Sequence, residues 1–143
     1  MTEIQKSIFN NGMKVTPQRL AVLKFLKNNR IHPTAEKVHS ELLKDYPSLS
    51  LTTVYKTLAK FVEEGMIKEL DIDPNKMRFD ICVDDHDHFH CQVCDNVYDI
   101  FYDKKNCDDN LQKCNGEGHR VDSVSVNFKG VCKYCEGMSA GVL

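Results

Sequence analysis

The chain has no apolar run of bilayer-spanning length and no recognisable secretory or targeting segment. The expectation is therefore a cytoplasmic protein with no membrane partner. It also lacks a His-Glu-x-x-His helix, a Gly-rich phosphate loop and a serine elbow, the signatures of metalloprotease, nucleotide and hydrolase chemistry. An enzyme is not expected, because nothing signals an open coordination position beside a substrate pocket. Nor do strands and helices alternate around its Cys-x-x-Cys pairs as a redox dithiol fold requires.

A net charge of -2 is small, but it hides an asymmetry. Residues 1–62 carry 10 Lys/Arg against 4 Asp/Glu, whereas residues 81–143 carry 6 against 11. A basic front and an acidic back suit a nucleic-acid-facing module joined to a cation-binding one. With 143 residues there is room for two small domains, each with a thin core. The fold expected is α+β: a winged helix-turn-helix over residues 1–82, a hinge at 83–85, and a small α/β metal-binding domain over 86–143 with a four-cysteine zinc site.

Helix-start signals crowd the front. Thr16 precedes Pro17, Thr34 follows His32-Pro33, and Ser50 precedes Leu51, each a hydroxyl cap before an apolar stripe. A short first helix is expected over Thr2 to Asn10, closed by Asn11-Gly12. In the third helix Ala35, Val38, Leu42 and Tyr46 recur at helical spacing. In the fourth, Leu51, Val54, Leu58, Phe61 and Val62 face inward, leaving Thr52, Lys56, Ala59 and Lys60 outside with Tyr55 at the edge. Pattern alone fits equally a three-helix bundle with a solvated basic face. The strand patterns Ile67–Ile72 and Lys76–Ile81 flank the turn Asp73-Pro74-Asn75 and turn that bundle into a winged helix. Thr52, Thr53, Tyr55 and Lys56 then lie where a recognition helix meets double-stranded DNA. Thr16, Gln18 and Arg19, at the start of the second helix, are further candidates for DNA contact.

Seven cysteines in a reducing compartment argue for metal ligation over disulfides. Cys91/Cys94 and Cys132/Cys135 supply four thiolates, the set a structural Zn²⁺ takes in tetrahedral geometry. The 37 residues between the pairs exceed the roughly 15–20 of the simplest zinc ribbon. They are expected to hold a strand from Val97 to Tyr102, a helix from about Lys104 to Cys114, and a strand in which Val124, Val126 and Phe128 alternate. Ahead of the first pair runs Asp84-Asp85-His86-Asp87-His88-Phe89-His90. On a strand His86 and His88 share a face; these imidazoles and carboxylates suit a harder ion such as Fe²⁺ or Mn²⁺. His90 follows them only if the strand stays regular beside Cys91. Cys82 is either a small buried hydrophobe or a thiolate for a zinc-sensing site beside Arg78 and Asp80. Cys107 and Cys114, seven apart, share one helix face; free thiols or interface packing are the plainer reading, an accessory thiol switch the sharper one. His39 and His119 read as surface residues.

Several motifs occur together in one order: Thr16-Pro17-Gln18-Arg19, His32-Pro33-Thr34-Ala35, Thr53-Val54-Tyr55, Arg78-Phe79-Asp80, Asp-His-x-His, and the two thiolate pairs. On them the chain resembles the ferric-uptake-regulator family of bacterial and archaeal metalloregulators. The resemblance implies a homodimeric repressor with operator DNA as partner and zinc on Cys91, Cys94, Cys132 and Cys135. It implies a regulatory Fe²⁺ or Mn²⁺ on His32, Asp80, His86, His88 and Asp99, bridging both domains and setting the angle between them. Asp80 in place of Glu, and Asp99 five residues after Cys94, point to the family's peroxide-responsive branch. In that branch iron-catalysed oxidation strikes a ligand histidine, here His32 or His86. The other readings within the family are an iron-responsive or a zinc-responsive repressor without peroxide sensing. A third metal site found in some members is expected to be absent, since Asn106-Cys107 and Ser123-Val124-Ser125 stand where its Glu and His belong.

Overall fold

Hydroxyl side chains start each of the four helices at the front of the chain, as a computed structural model describes it. Described are residues 1–73, 75–84, 86–101, 109–122 and 124–142. The chain forms two compact units, Met1–Val83 and Asp84–Leu143. Among the described residues no helix is long and apolar enough to cross a membrane.

In the first unit α1 spans Glu3–Asn10, α2 Pro17–Asn28, α3 Ala35–Leu42 and α4 Leu51–Glu63. Thr2 and Gln5 close a reciprocal capping box, and Thr16, Thr34 and Ser50 each accept the backbone N–H three residues on. Gly65 ends α4 in the left-handed region at φ 73; its N–H reaches Val62 and that of Met66 reaches Phe61. Only glycine takes that conformation cheaply. The inward faces supply Ile8, Val22, Leu23, Leu26, Val38, Val54, Leu58 and Phe61, all at most 1% exposed. Each such side chain contributes roughly 1.5–3 kcal/mol on burial, so this one core holds four short helices together.

Two strands follow, β1 over Lys68–Asp73 and β2 over Lys76–Asp80, antiparallel and irregular between Leu70 and Asp73. They make the expected wing. Its second strand also ties back to the bundle: Phe79 N–H donates to the Pro33 carbonyl at 3.0 Å, and Thr34 bridges to Arg78.

The second unit has β3 over Asp87–Cys91 at the centre of a three-stranded sheet. Strand β4, Val97–Ile100, runs antiparallel to it with Asp99 opposite His88; β5, Asn127–Gly130, runs parallel with Gly130 opposite Cys91. Helix α5 covers Asp109–Gly116 and α6 Lys133–Val142.

Three local expectations are revised. Helix α3 stops at Leu42, and Tyr46, at helical spacing, stands 40% exposed in the turn beyond. Val124 and Val126 do not belong to a strand: the ladder with β3 begins at Asn127. His39 is half-buried and donates from Nε2 to the Leu49 carbonyl at 2.7 Å, fastening α3 to the approach of α4. His119 is exposed as expected, beside Glu117. The end of the Val97–Tyr102 strand, the start of the Lys104–Cys114 helix, Cys107, and the Asn106 and Ser123 positions of the third metal site lie outside the described residues.

Candidate metal centres and DNA-facing helix

Two Cys-x-x-Cys turns face each other because β3 and β5 lie side by side. Cys91 ends β3, and Cys132 follows two residues after β5. Hydrogen bonds from Gln92 N–H to the Gly130 carbonyl (2.8 Å) and from Cys91 N–H to the Asn96 carbonyl (3.0 Å) hold the turns in place. The four sulfurs lie within 4.8 Å of one another, and Cys94 Sγ is 3.8 Å from Cys132 Sγ. A tetrahedron with Zn–S bonds of about 2.3 Å has edges of about 3.8 Å. The donor set therefore fits zinc in both chemistry and span.

The surroundings also favour thiolate. Cys91 Sγ accepts N–H bonds from Cys132 (3.3 Å), Val93 (3.4 Å) and Cys94 (3.5 Å). The Cys94 bond first, against the opposing effect of burial, lowers its pKa to about 6. Cys132 is lowered by the Cys135 backbone N–H and then by the Tyr98 hydroxyl, which donates to it. Cys135, sharing a proton with Cys132, is pushed up to about 12. Without a cation the tetrad thus keeps protons that zinc must displace. No spacing in the sequence marks Tyr98; it lies opposite Phe89 on the ladder and packs on the sulfurs.

The histidine run splits by surroundings. His86 donates from Nδ1 to the Asp84 carbonyl at 2.6 Å, which leaves Nε2 as its lone-pair nitrogen. That nitrogen is 3.0 Å from Asp99 Oδ1, and His88 Nε2 is 3.6 Å from the same oxygen. The two imidazoles are 4.5 Å apart, centre to centre, and Phe101 stacks on His86 at 5.0 Å. A lone-pair nitrogen facing a carboxylate needs a proton or a cation between them. His86, His88 and Asp99 thus make a cation-ready trio within the second unit. His90 differs. Its Nε2 meets Asp95 Oδ1 at 2.6 Å, and Gln92 Nε2 lies 3.2 Å from its Nδ1, so both ring nitrogens are already satisfied by protein. Asp87, buried in the same run, accepts the Val126 N–H at 3.0 Å, which is a structural role.

In the first unit His32 and Asp80 are each 3% exposed, with His32 Nε2 3.4 Å from Asp80 Oδ2. His32 sits at φ 54, an uncommon conformation for a non-glycine residue. The Arg78 guanidinium donates to its carbonyl at 3.1 Å. Asp80 is oriented by the Cys82 N–H (2.9 Å). The Cys82 thiol is half-buried just past the end of β2 and joins none of the metal-capable clusters among the described residues.

On the face expected to meet DNA, Thr52, Tyr55 and Lys56 are exposed on the first turns of α4. Thr53 is half-buried, its N–H and hydroxyl both engaged with Ser50. Thr16 caps α2, Arg19 donates to the Lys14 carbonyl at 2.7 Å, and Gln18 is exposed. The Tyr55 hydroxyl donates to Glu36 on α3, a pairing across 19 residues that the sequence does not announce.

Known proteins match this arrangement along most of the chain. The peroxide-responsive repressor PerR of Staphylococcus saprophyticus is 34% identical over 130 residues, 91% of this chain and 87% of that protein. The Campylobacter jejuni peroxide stress regulator superposes with a TM-score of 0.66 at 34% identity, over 94% of this chain and all of that one. The ferric uptake regulator from Francisella tularensis, solved with iron, gives a TM-score of 0.77 at 28% identity, covering 87% and 96%. The model of the ferric uptake regulator family matches residues 10–129, and the chain belongs to that family.

Proposed function

We propose that the protein is a metal-dependent repressor of the peroxide-responsive kind, binding operator DNA as a homodimer in the cytoplasm. The observation that carries this reading is the pairing of two chemically distinct ligand sets. One is an all-thiolate tetrad suited to structural zinc; the other is an imidazole–carboxylate set suited to exchangeable Fe²⁺ or Mn²⁺. Similarity to named peroxide-responsive repressors at 32–34% identity supports the branch.

In this reading His32 and Asp80 of the first unit and His86, His88 and Asp99 of the second hold one regulatory ion. Metal binding then favours the dimer shape whose two α4 helices match the operator half-sites, by its differential affinity for that shape. Ferrous iron held by these residues would make hydrogen peroxide a local oxidant beside the ligand imidazoles. Net, a ring C–H of His32 or His86 would become a ring carbonyl with its hydrogen moved to a ring nitrogen, one peroxide oxygen entering the ring and the other leaving as water. The altered ring would ligate more weakly, the two units would lose their common ion and DNA would be released. Manganese supports repression without that reaction. Dimerisation draws support from β5, an edge strand whose Phe128 is 47% exposed.

The test is a DNA-binding titration with the zinc-loaded protein and Fe²⁺, Mn²⁺ or Zn²⁺, each before and after peroxide. Binding with iron and manganese, lost to peroxide only with iron, is the expected pattern. Iron-dependent binding that survives peroxide with every histidine intact points instead to an iron-responsive repressor. Binding that needs no exchangeable metal overturns the reading.

A further inference from the structure

The Tyr55 hydroxyl belongs to the exposed face of α4, with Tyr55 itself 42% exposed, yet it is not a free group. It donates to the Glu36 carboxylate, which lies in the first turn of α3. The Thr34 hydroxyl and the helix's own first-turn N–H further favour the charged form of that carboxylate. The acceptor is therefore a charged carboxylate placed by the first turn of α3. The hydrogen bond is charge-assisted, one of the stronger kinds.

A phenol has a single proton to give and lone pairs to receive with. We propose that Glu36 is a positioning residue for base recognition: by taking the Tyr55 proton it makes Tyr55 an acceptor-only reader that turns away guanine. This rests on the reading of α4 as the helix that enters the major groove. There guanine shows only acceptors, N7 and O6, whereas adenine and cytosine show an exocyclic amine and thymine a methyl group. An oxygen without a spare proton pairs with the amines and lies against the methyl. Facing guanine it sets lone pair against lone pair and strips water from both, with nothing gained in return. The raised proton affinity of Tyr55, caused first by the Glu36 bond, agrees with this direction of donation.

The experiment uses the full-length, zinc-containing protein with Mn²⁺ and a library of random-sequence duplex DNA. The duplex selected is then measured with each base pair replaced in turn. The wild type is expected to exclude guanine at one position in each half-site. Glu36→Ala frees the hydroxyl to donate, and the penalty for guanine at that position falls roughly fivefold or more. Glu36→Gln keeps a carbonyl acceptor and restores the wild-type profile. In a Tyr55→Phe background Glu36→Ala changes nothing at that position. Should Glu36→Ala leave the base profile unchanged, or shift it equally without the hydroxyl, the inference falls while the DNA-binding reading stands. If the wild type enriches no sequence at all, the reading of α4 falls with it.

Discussion

The Arg78 guanidinium donates to the backbone carbonyl of His32 at 3.1 Å, 46 residues away in sequence, and both residues are buried. One strand of the wing thereby grips the backbone of a metal-ligand candidate that sits at φ 54. A side chain of the wing thus helps set where this imidazole is held.

Replacing Arg78 with Met should consequently loosen the site without touching a ligand. Leaving the His32 carbonyl buried and unsatisfied costs roughly 1–3 kcal/mol of stability, visible in urea denaturation. Mn²⁺ affinity by calorimetry should drop about tenfold or more, in the range of losses for groups that orient metal ligands, with zinc content unchanged. Unaltered Mn²⁺ affinity would show that His32 needs no such grip.

Zinc removal should act on the second unit first. Its sheet has three short strands and its thiolates are core residues: Cys91, Cys132 and Cys135 are each at most 6% exposed. Binding free energy of a structural zinc is folding free energy. Cys132→Ser should abolish stoichiometric zinc and melt the β3–β4–β5 amide signals, while the α1–α4 helices, with their own apolar core, persist. Hydrogen exchange read by mass spectrometry distinguishes the two regions. Uniform loss of protection in both would contradict independent cores.

Peroxide treatment of the Fe²⁺-loaded protein should add one oxygen to the peptide carrying His86 or the one carrying His32, and none to the Mn²⁺-loaded protein. His90 serves as the internal control. Its nitrogens are occupied by Asp95 and Gln92, so oxidation concentrated there would refute the ligand assignment. Peptide mapping by tandem mass spectrometry decides it.

The Glu36–Tyr55 tether should depend on pH in one direction. The Tyr55 hydroxyl, first among its causes, holds the Glu36 carboxyl below the ordinary carboxylate value. A lowered folded-state pKa means the contribution is present above the ordinary value and fades as pH falls through the folded one. Both side chains are exposed, so the effect on global stability is small; the Tyr55 ring signal in NMR is the better reporter. Its acid-side shift should vanish in Glu36→Gln.

Local chemistry explains why so much was readable in advance. Thr2, Thr16, Thr34 and Ser50 mark helix starts because a hydroxyl must satisfy a nearby N–H. The paired cysteines mark a zinc site because their spacing makes the turn that points two sulfurs one way. What escaped is long-range. The alternation of Val124, Val126 and Phe128 looks like a strand, yet the ladder starts at Asn127, because the Asp87 carboxylate takes the Val126 N–H. Tyr46 keeps helical spacing beyond a helix that has already ended. Arg78, Tyr98 and Glu36 each act on a partner 19 to 46 residues away, and spacing along a chain carries no sign of such partners.

Strand β3 carries His88 near its start and Cys91 at its end. Three steps of extended chain, roughly 10 Å, separate this proposed regulatory ligand from the thiolate anchor. Fixing Cys91 in the thiolate tetrad thus also fixes where His88 is presented. Loss of zinc would therefore cost the neighbouring imidazole its alignment although no residue beside it had been touched.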